Sequence, residues 1–345
     1  MSLVLISCAL SSCKAQEKYP LTDFDSYEVI DPINKTIGDD IFLGRPQGIS
    51  IINGWLAIDD VYDDMCITWV STDMKTYIHN VRRGTGPGEI TSSAIPFATK
   101  DPDKVKIQDF AIGKFYTFTW DNVMKSNFRR PIQTDEIGNL RSRAVPVGEN
   151  YVCYEMMEDD EKMFSLLSPQ GEVLTRFGEY PPSLDLKGEK DPFLRQVKAS
   201  CKVSAKTDGS VMVAAGFSYD YLAFYKISGT EATLIRQYNT FAPDRDIVET
   251  SSGYSFRNNS RTINAYGSLS PSDKYFFALY DGDKVIRDYK VNHVFLQVFD
   301  WDGNFIKGYK LNERIGAVVY DEESQTLYGI AAGDFHISSY KLSGL

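Results

Sequence analysis

The side chains that could do metal or acid–base chemistry are few and form no known motif. The densest acidic group consists of Asp59, Asp60, Asp63 and Asp64. A calcium ion requires several oxygen ligands that converge on one point, and the spacing of these acids differs from that of an EF-hand loop. We therefore interpret them as a solvated hairpin turn and predict no cofactor. A calcium ion is an alternative that no motif supports.

The sequence offers equally little for nucleophilic catalysis. The three histidines, His79, His293 and His336, lie far apart in the chain, each within a strand-like run. The sequence contains no Gly-x-Ser-x-Gly segment, which would present a catalytic serine at a sharp turn. These observations favour a binding protein over an enzyme.

Basic residues nevertheless recur at one kind of position, directly before the short apolar runs that we assign below to innermost strands. Arginine binds planar or bidentate anions well, so we predict a site for a carboxylate, sulfate or phosphate group. The alternative is that these are solvated loop residues paired with neighbouring acids. The predicted binding residues are Arg45, Arg141, Arg143, Lys202, Arg261 and Arg314, and Lys104 and Lys106 hold the same position in the second unit.

The overall charge limits the partners of the chain. The formal net charge is −10, which disfavours a nucleic-acid partner, because nucleic-acid phosphates require a basic surface. We predict instead a protein partner or a small anionic ligand, and a monomeric protein.

The elements that would position these residues are short strands joined by tight turns. The run from Val298 to Tyr309 alternates apolar and polar residues on both sides of Asp302-Gly303, which is a strong hairpin pattern. Helical periodicity is nearly absent. The hairpin pattern recurs in the segments Trp69–Lys75, Phe118–Met124, Leu166–Leu174 and, more loosely, Ala223–Thr230.

These hairpins group into units of four strands. Five complete units are followed by a unit of three strands between Ile315 and Tyr340, and an isolated strand at Tyr27–Asp31 would supply its fourth. Repeats of roughly 40–60 residues with four strands each are typical of a β-propeller. We predict an all-β, six-bladed β-propeller with four antiparallel strands per blade. An N-terminal strand that joins the C-terminal blade would close the ring.

The first residues form a separate segment. Residues 1–18 begin apolar and end polar, and the segments that end at Cys8 and Cys13 both resemble a bacterial lipobox. Cys13 is slightly preferred as the lipidated residue because a polar tether follows it. We predict a signal remnant and tether at residues 1–18, and a single propeller domain at residues 19–345. The membrane would then be reached by a lipid anchor only, at the periplasmic or outer-membrane surface side of the cell envelope.

One local motif connects the chain to a known family. The segment from Gly84 to Glu89, Gly-Thr-Gly-Pro-Gly-Glu, lies between the first and second complete units. It resembles a segment of six-bladed, TolB-like and NHL-like propeller lipoproteins of Gram-negative anaerobes, a largely uncharacterised family. The resemblance covers about Tyr27 to Leu342 and implies fold and location more than activity. The glycines and the proline also suit a tight connection between blades.

Three functions are compatible with these patterns. The first is a lipid-anchored envelope propeller that binds a partner or an anionic ligand at its central channel. The second is a carboxylate-metal hydrolase or lyase, similar to a lactonase, with its site in the channel. The third is a structural scaffold in an envelope complex, which would expose a large apolar patch.

Overall fold

The protein is a ring of six β-sheets around a central channel. A computed structural model describes residues 20–36, 41–125, 130–138, 144–154, 162–181, 198–239, 245–250, 253–282 and 293–345. The described chain begins with two 3₁₀ turns, Pro20–Thr22 and Phe24–Ser26, and two short strands, β1 (Glu28–Ile30) and β2 (Asn34–Lys35).

Each of the next five sheets forms one blade, in which four consecutive strands follow the chain order, innermost first. Blade 1 contains β3 (Pro46–Ile52), β4 (Trp55–Tyr62), β5 (Met65–Ser71) and β6 (Tyr77–Arg82). Blade 2 contains β7 (Ala94–Ala98), β8 (Lys104–Asp109), β9 (Lys114–Thr119) and, after helix α1 (Trp120–Met124), β10 (Gln133–Glu136). Blade 3 contains β11 (Ala144–Val147), β12 (Asn150–Tyr154), β13 (Lys162–Leu167) and β14 (Val173–Glu179).

The second half of the ring repeats this order with one addition. Blade 4 contains β15 (Cys201–Ala205), β16 (Val211–Gly216), β17 (Tyr221–Ser228) and β18 (Glu231–Asn239), and is followed by a separate hairpin, β19 (Arg245–Thr250) and β20 (Gly253–Asn258). Blade 5 contains β21 (Tyr266–Pro271), β22 (Tyr275–Tyr280), β23 (Val294–Asp300) and β24 (Phe305–Leu311). Blade 6 contains β25 (Ile315–Asp321), β26 (Thr326–Ala331) and β27 (Ile337–Lys341).

The N-terminal segment closes the ring, as the sequence predicts. The closing strand is β2, which pairs antiparallel with β27 and gives blade 6 its fourth strand. The predicted strand at Tyr27–Asp31 does form, but β1 pairs parallel with β24 and is the fifth strand of blade 5. The segment therefore contacts two blades in succession.

Two local predictions were wrong. The predicted hairpin turn at Asn122 is a short helix. The Thr119 hydroxyl accepts a hydrogen bond from the Asn122 backbone amide (3.3 Å) and so caps the N-terminus of that helix. The run that begins at Lys104 is the second strand of its blade, since the innermost strand is β7.

The hydrophobic core is divided among the blade junctions. In the described part of the chain the buried apolar side chains form six clusters, one between each pair of neighbouring blades. At the junction of blades 4 and 5, for example, the rings of Phe224 and Phe276 meet edge to face, with centroids 5.6 Å apart. Burial of such a ring contributes about 1.5–3 kcal/mol. A blade alone would leave both faces exposed, so the blades are stable only as a ring.

Candidate functional site: the central channel

The central channel has a volume of about 810 Å³ and is lined by the innermost strands of all six blades. Neighbouring innermost strands run in the same direction: the Val318 amide donates to Ser268 Oγ (3.1 Å) and the Tyr320 amide to Ser270 Oγ (3.0 Å). The channel therefore has two unlike ends. We call the end where the innermost strands begin the strand-start mouth, and the opposite end the strand-end mouth.

The strand-end mouth is rich in acids. Its lysines are partly neutralised, since Lys104 pairs with Asp101 (2.9 Å) and Lys206 with Asp208 (3.3 Å). Among the described residues, its channel-lining acids are Asp101, Glu149, Asp273, Asp321, Glu322 and Glu323, and its lysines are Lys100, Lys104 and Lys206. Six acids against three lysines make this end unsuitable for an anion.

The strand-start mouth contains a side pocket of about 250 Å³ between blades 5 and 6. The pocket adjoins the channel, because Lys202, Phe217 and Gly267 line both. Lys202 comes from blade 4 and Arg314 from the segment just before β25, and both line this pocket. Lys202 Nζ donates to the carbonyl of Gly267 and lies 5.4 Å from the centre of the Phe217 ring.

The predicted binding residues are only partly brought together. Lys202 and Arg314 share the side pocket, whereas the exposed residues Arg45 and Arg261 line neither cavity. Arg141 and Arg143 lie outside the described residues, as do Cys8 and Cys13. Binding of an anion at this mouth stays a prediction.

Lys106 lines the channel but its ammonium group is already bound. Its Nζ lies 3.1 Å from Asp135 Oδ2 and 2.6 Å from the hydroxyl of Tyr151, across the junction of blades 2 and 3. Burial acts to raise the pKa of Asp135, but hydrogen bonds from Tyr151, Gln133 and Lys106 outweigh it and lower that pKa. Burial and the hydrogen bond to Asp135 raise the pKa of Tyr151. This group holds two blades together.

Buried carboxylates fix the segments that lead into the innermost strands, a role that the sequence patterns did not predict. Asp59 and Asp60 are fully buried in β4, so their assignment to a solvated turn was wrong. Asp60 accepts a hydrogen bond from the backbone amide of Arg45 (2.6 Å), and Asp109 accepts one from the backbone amide of Thr91 (2.7 Å). The recurring signal is an aspartate at or just after the end of the second strand, as in Asp109 and Asp281.

Two further properties concern metals and membranes. Within the described ranges, no three His, Cys, Asp or Glu side chains lie together in a way that could hold a metal ion. The described helices include none with the length and apolar character of a membrane span. Cys66, Cys153 and Cys201 are buried, and burial together with nearby Asp59 raises the pKa of the Cys66 thiol to about 12.

The fold and the channel define a six-bladed β-propeller, a class in which rigid blades support a binding or scaffold role. The chain belongs to the family described as TolB-like 6-blade propeller-like, whose profile matches residues 26–323. The prediction of a six-bladed, TolB-like propeller is thereby confirmed. No curated protein matches the chain significantly in sequence.

Solved structures show the same architecture at low sequence identity. A member of the DUF4221 family from Bacteroides vulgatus ATCC 8482 is 11% identical, with a TM-score of 0.55 over 91% of this chain and 95% of that chain. A protein of Bacteroides fragilis NCTC 9343 that is described as exported is 10% identical, with a TM-score of 0.50 over 88% of this chain and 82% of that chain. At these identities the similarity shows the fold alone.

Proposed function

We propose that this protein is an envelope-located propeller that binds a small ligand or a protein partner at its central channel. The observation behind the proposal is the channel itself, about 810 Å³ in volume and lined by every blade. A cavity of this size falls within the usual range for small-molecule sites. Rigid strands with variable connecting loops suit such a role.

The ligand is anionic and enters from the strand-start mouth. Lys202 and Arg314 line the same side pocket at that end, whereas six acids surround the strand-end mouth. An anion is therefore attracted to one end and repelled from the other.

The channel is tested by narrowing it. Val203 is half-buried in the middle of β15 and lines the channel, so Val203→Trp fills space there. Equilibrium dialysis with citrate, benzoate and inorganic phosphate should show binding of at least one anion to the unaltered protein and loss of that binding in the variant. The control is Thr233→Trp, on the exposed outer strand of the same blade. Equal binding by Val203→Trp, or no binding of any of these anions, contradicts the proposal.

An exported, lipid-anchored location is supported by two features. The lipobox-like segments end at Cys8 and Cys13, and a structural relative is described as exported. Expression of the full chain in a bacterium with labelled palmitate should label the protein in the membrane fraction, and Cys13→Ser should abolish labelling. If Cys8→Ser abolishes it instead, the lipidated residue is Cys8.

A scaffold role is the second candidate, and an exposed aromatic row on blade 1 favours it. The Tyr62 ring lies 5.1 Å from that of Phe42 and 4.4 Å from that of His79, and Tyr77 lies 5.3 Å from His79. Phe42 is 55% exposed. The lactonase-like hydrolase remains the catalytic alternative; a stoichiometric metal ion in the purified protein, found by elemental analysis, would support it.

A further inference from the structure

The innermost strands of blades 1, 5 and 6 share a bulge near their beginning. The extra residue, which has no partner in the neighbouring strand, is Gln47 in blade 1, Gly267 in blade 5 and Gly316 in blade 6. Bulges of this kind often lie beside functional sites, where they redirect a strand edge. Gly267 and Gly316 both line the side pocket at the strand-start mouth.

Neither glycine is required by the backbone or by packing. Neither has a positive φ, and blade 1 forms the same bulge with Gln47. A Cβ atom at Gly267 would meet nothing closer than the Gly316 carbonyl oxygen at 3.9 Å, and one at Gly316 would meet nothing closer than 3.9 Å. Glycine within a strand that has open space around it suits close approach of a ligand to the backbone. The pocket is therefore kept wide at these two positions.

The described lining of the pocket carries charges of both signs. Lys202 and Arg314 are the cationic residues of that lining, and Asp281 is its carboxylate. Arg314 Nη2 lies 3.4 Å from Asp281 Oδ2, and Asn264 Nδ2 donates to the same oxygen (3.3 Å). The Asp281 carboxylate repels a doubly charged phosphate more strongly than a singly charged carboxylate, so the lining favours the carboxylate.

Most of the remaining described lining of the pocket is apolar. Leu279, Val294 and Ile315 line it, and the ring of Phe217, 39% exposed, stands where the pocket meets the channel. Apolar walls with a few placed polar groups are the usual design of a small-molecule site. With about 250 Å³ available, the ligand is smaller than the drug-sized molecules that fill larger sites.

We propose that this pocket binds a small apolar monocarboxylate. The carboxylate would contact Lys202 and Arg314 beside the exposed backbone of Gly267 and Gly316, and the hydrocarbon part would pack on the apolar walls towards Phe217. The proposal rests on the proposed function, because it names the anion and its place at the same channel mouth.

The test uses small acids and their neutral analogues. Isothermal titration calorimetry of the full chain with 3-methylbutanoate, phenylacetate and benzoate should show binding of at least one. The corresponding amides should bind at least about tenfold more weakly because they lack the charge that Lys202 and Arg314 attract, and inorganic phosphate likewise because Asp281 repels its second charge. No binding of any of the three acids, or equal binding of the amides or of phosphate, overturns the proposal.

Pocket-filling variants locate the site without removing a contact. Gly316→Val and Gly267→Val place their side chains in open space, so both should fold as the unaltered protein does and lose at least about tenfold in affinity. The control is Gly48→Val, which follows the corresponding bulge in blade 1, has nothing within 4 Å of its Cβ position and does not line the pocket. Wild-type affinity in both pocket-filling variants overturns the proposal.

Charge variants provide the second readout. Lys202→Gln and Arg314→Gln should each lower the affinity for the acid about tenfold, which is the typical effect of losing a charged hydrogen bond. Neither substitution should change the affinity for the amide. Equal weakening of acid and amide contradicts the assigned carboxylate position. If Val203→Trp abolishes binding of an anion that Gly316→Val still binds, the pocket proposal fails and the channel proposal stands.

Discussion

At the scale of single residues, Glu313 is the most heavily bonded carboxylate at the ring closure. Its oxygens accept hydrogen bonds from Lys35 (2.6 Å), Ser338 (2.5 Å) and Tyr340 (2.8 Å), and His336 Nε2 lies 2.7 Å away. Burial acts to raise the pKa of Glu313, but these bonds outweigh it and lower that pKa to about 2. The side chain is 9% exposed, so solvent screens it little.

The lowered pKa predicts loss of stability in acid. A carboxylate with a lowered folded-state pKa stabilises the fold above its unfolded-state pKa, which is 4.5, and the effect disappears as the pH falls towards 2. The shift corresponds to about 3 kcal/mol. In urea unfolding, Glu313→Gln should have a free energy of unfolding about 2–3 kcal/mol lower than the unaltered protein at pH 7. Between pH 5 and pH 3 the free energy of unfolding should fall less in Glu313→Gln than in the unaltered protein.

The neighbouring acid Asp334 is the matched control. It also pairs with His336 (2.7 Å), but its side chain is 73% exposed, so Asp334→Asn should change the free energy of unfolding by less than about 0.5 kcal/mol. If Glu313→Gln were as stable as Asp334→Asn at pH 7, the assigned role of Glu313 would be wrong.

At the scale of elements, Tyr27 is one of two aromatic side chains, with Phe24, that pack the N-terminal segment against blade 5. Tyr27 is buried, packs against the rings of Phe295 and Phe305, and accepts a hydrogen bond from Gln297 Nε2 (3.2 Å). Its ring lies over Gly308, where a Cβ atom would come within 2.5 Å of the ring. Gly308 therefore makes room for the tyrosine that places β1.

This contact predicts a coupled pair of substitutions. Gly308→Ala should destabilise the protein by about 1–3 kcal/mol through overpacking, and Tyr27→Ala by about 3–5 kcal/mol through loss of a buried ring. In the double variant the clash is absent, so the loss should fall below the sum by at least about 1 kcal/mol. Thermal or urea unfolding of the three variants measures this coupling, and strict additivity would contradict it.

At the scale of the whole molecule, the ring is closed by covalent continuity as well as by packing. Strand β2 completes blade 6, and the chain then continues directly into blade 1, so the backbone itself crosses the junction between the first and last blades. Further contacts across that junction include the apolar cluster of Leu56, Val70 and Ile330 and the hydrogen bond from the Tyr328 hydroxyl to the Thr72 carbonyl (2.9 Å).

A circular permutant separates these two contributions. A chain of residues 41–345, a Gly-Ser linker and residues 20–36 keeps every strand pair but removes the covalent link between blade 6 and blade 1. The permutant should have the same far-ultraviolet circular dichroism spectrum as the unpermuted chain. Its unfolding rate in guanidinium should be at least about tenfold higher, because the backbone no longer resists opening of the ring. Equal unfolding rates, against a linker-only control at the C-terminus, would show that packing alone closes the ring.

Several features of the fold follow from local patterns, and those predictions were correct. Alternation around turns such as Asp302-Gly303 depends only on nearby residues, and it was sufficient to predict six blades and a ring closed near the N-terminus. The hairpin β19–β20 was missed because it interrupts the repeat. Helix α1 was missed because its capping by Thr119 competes with an equally plausible turn pattern at Asn122.

The sequence alone determined the class of fold, since strand period and turn chemistry are local properties. Tertiary structure decided which residues meet. It placed Lys202 beside Gly267, 65 positions away, and Arg314 beside Asp281, 33 positions away. It also buried Asp59 and Asp60 and selected β2 as the closing strand. Such contacts depend on register and packing between blades, which no local pattern specifies, and the side pocket is built from them.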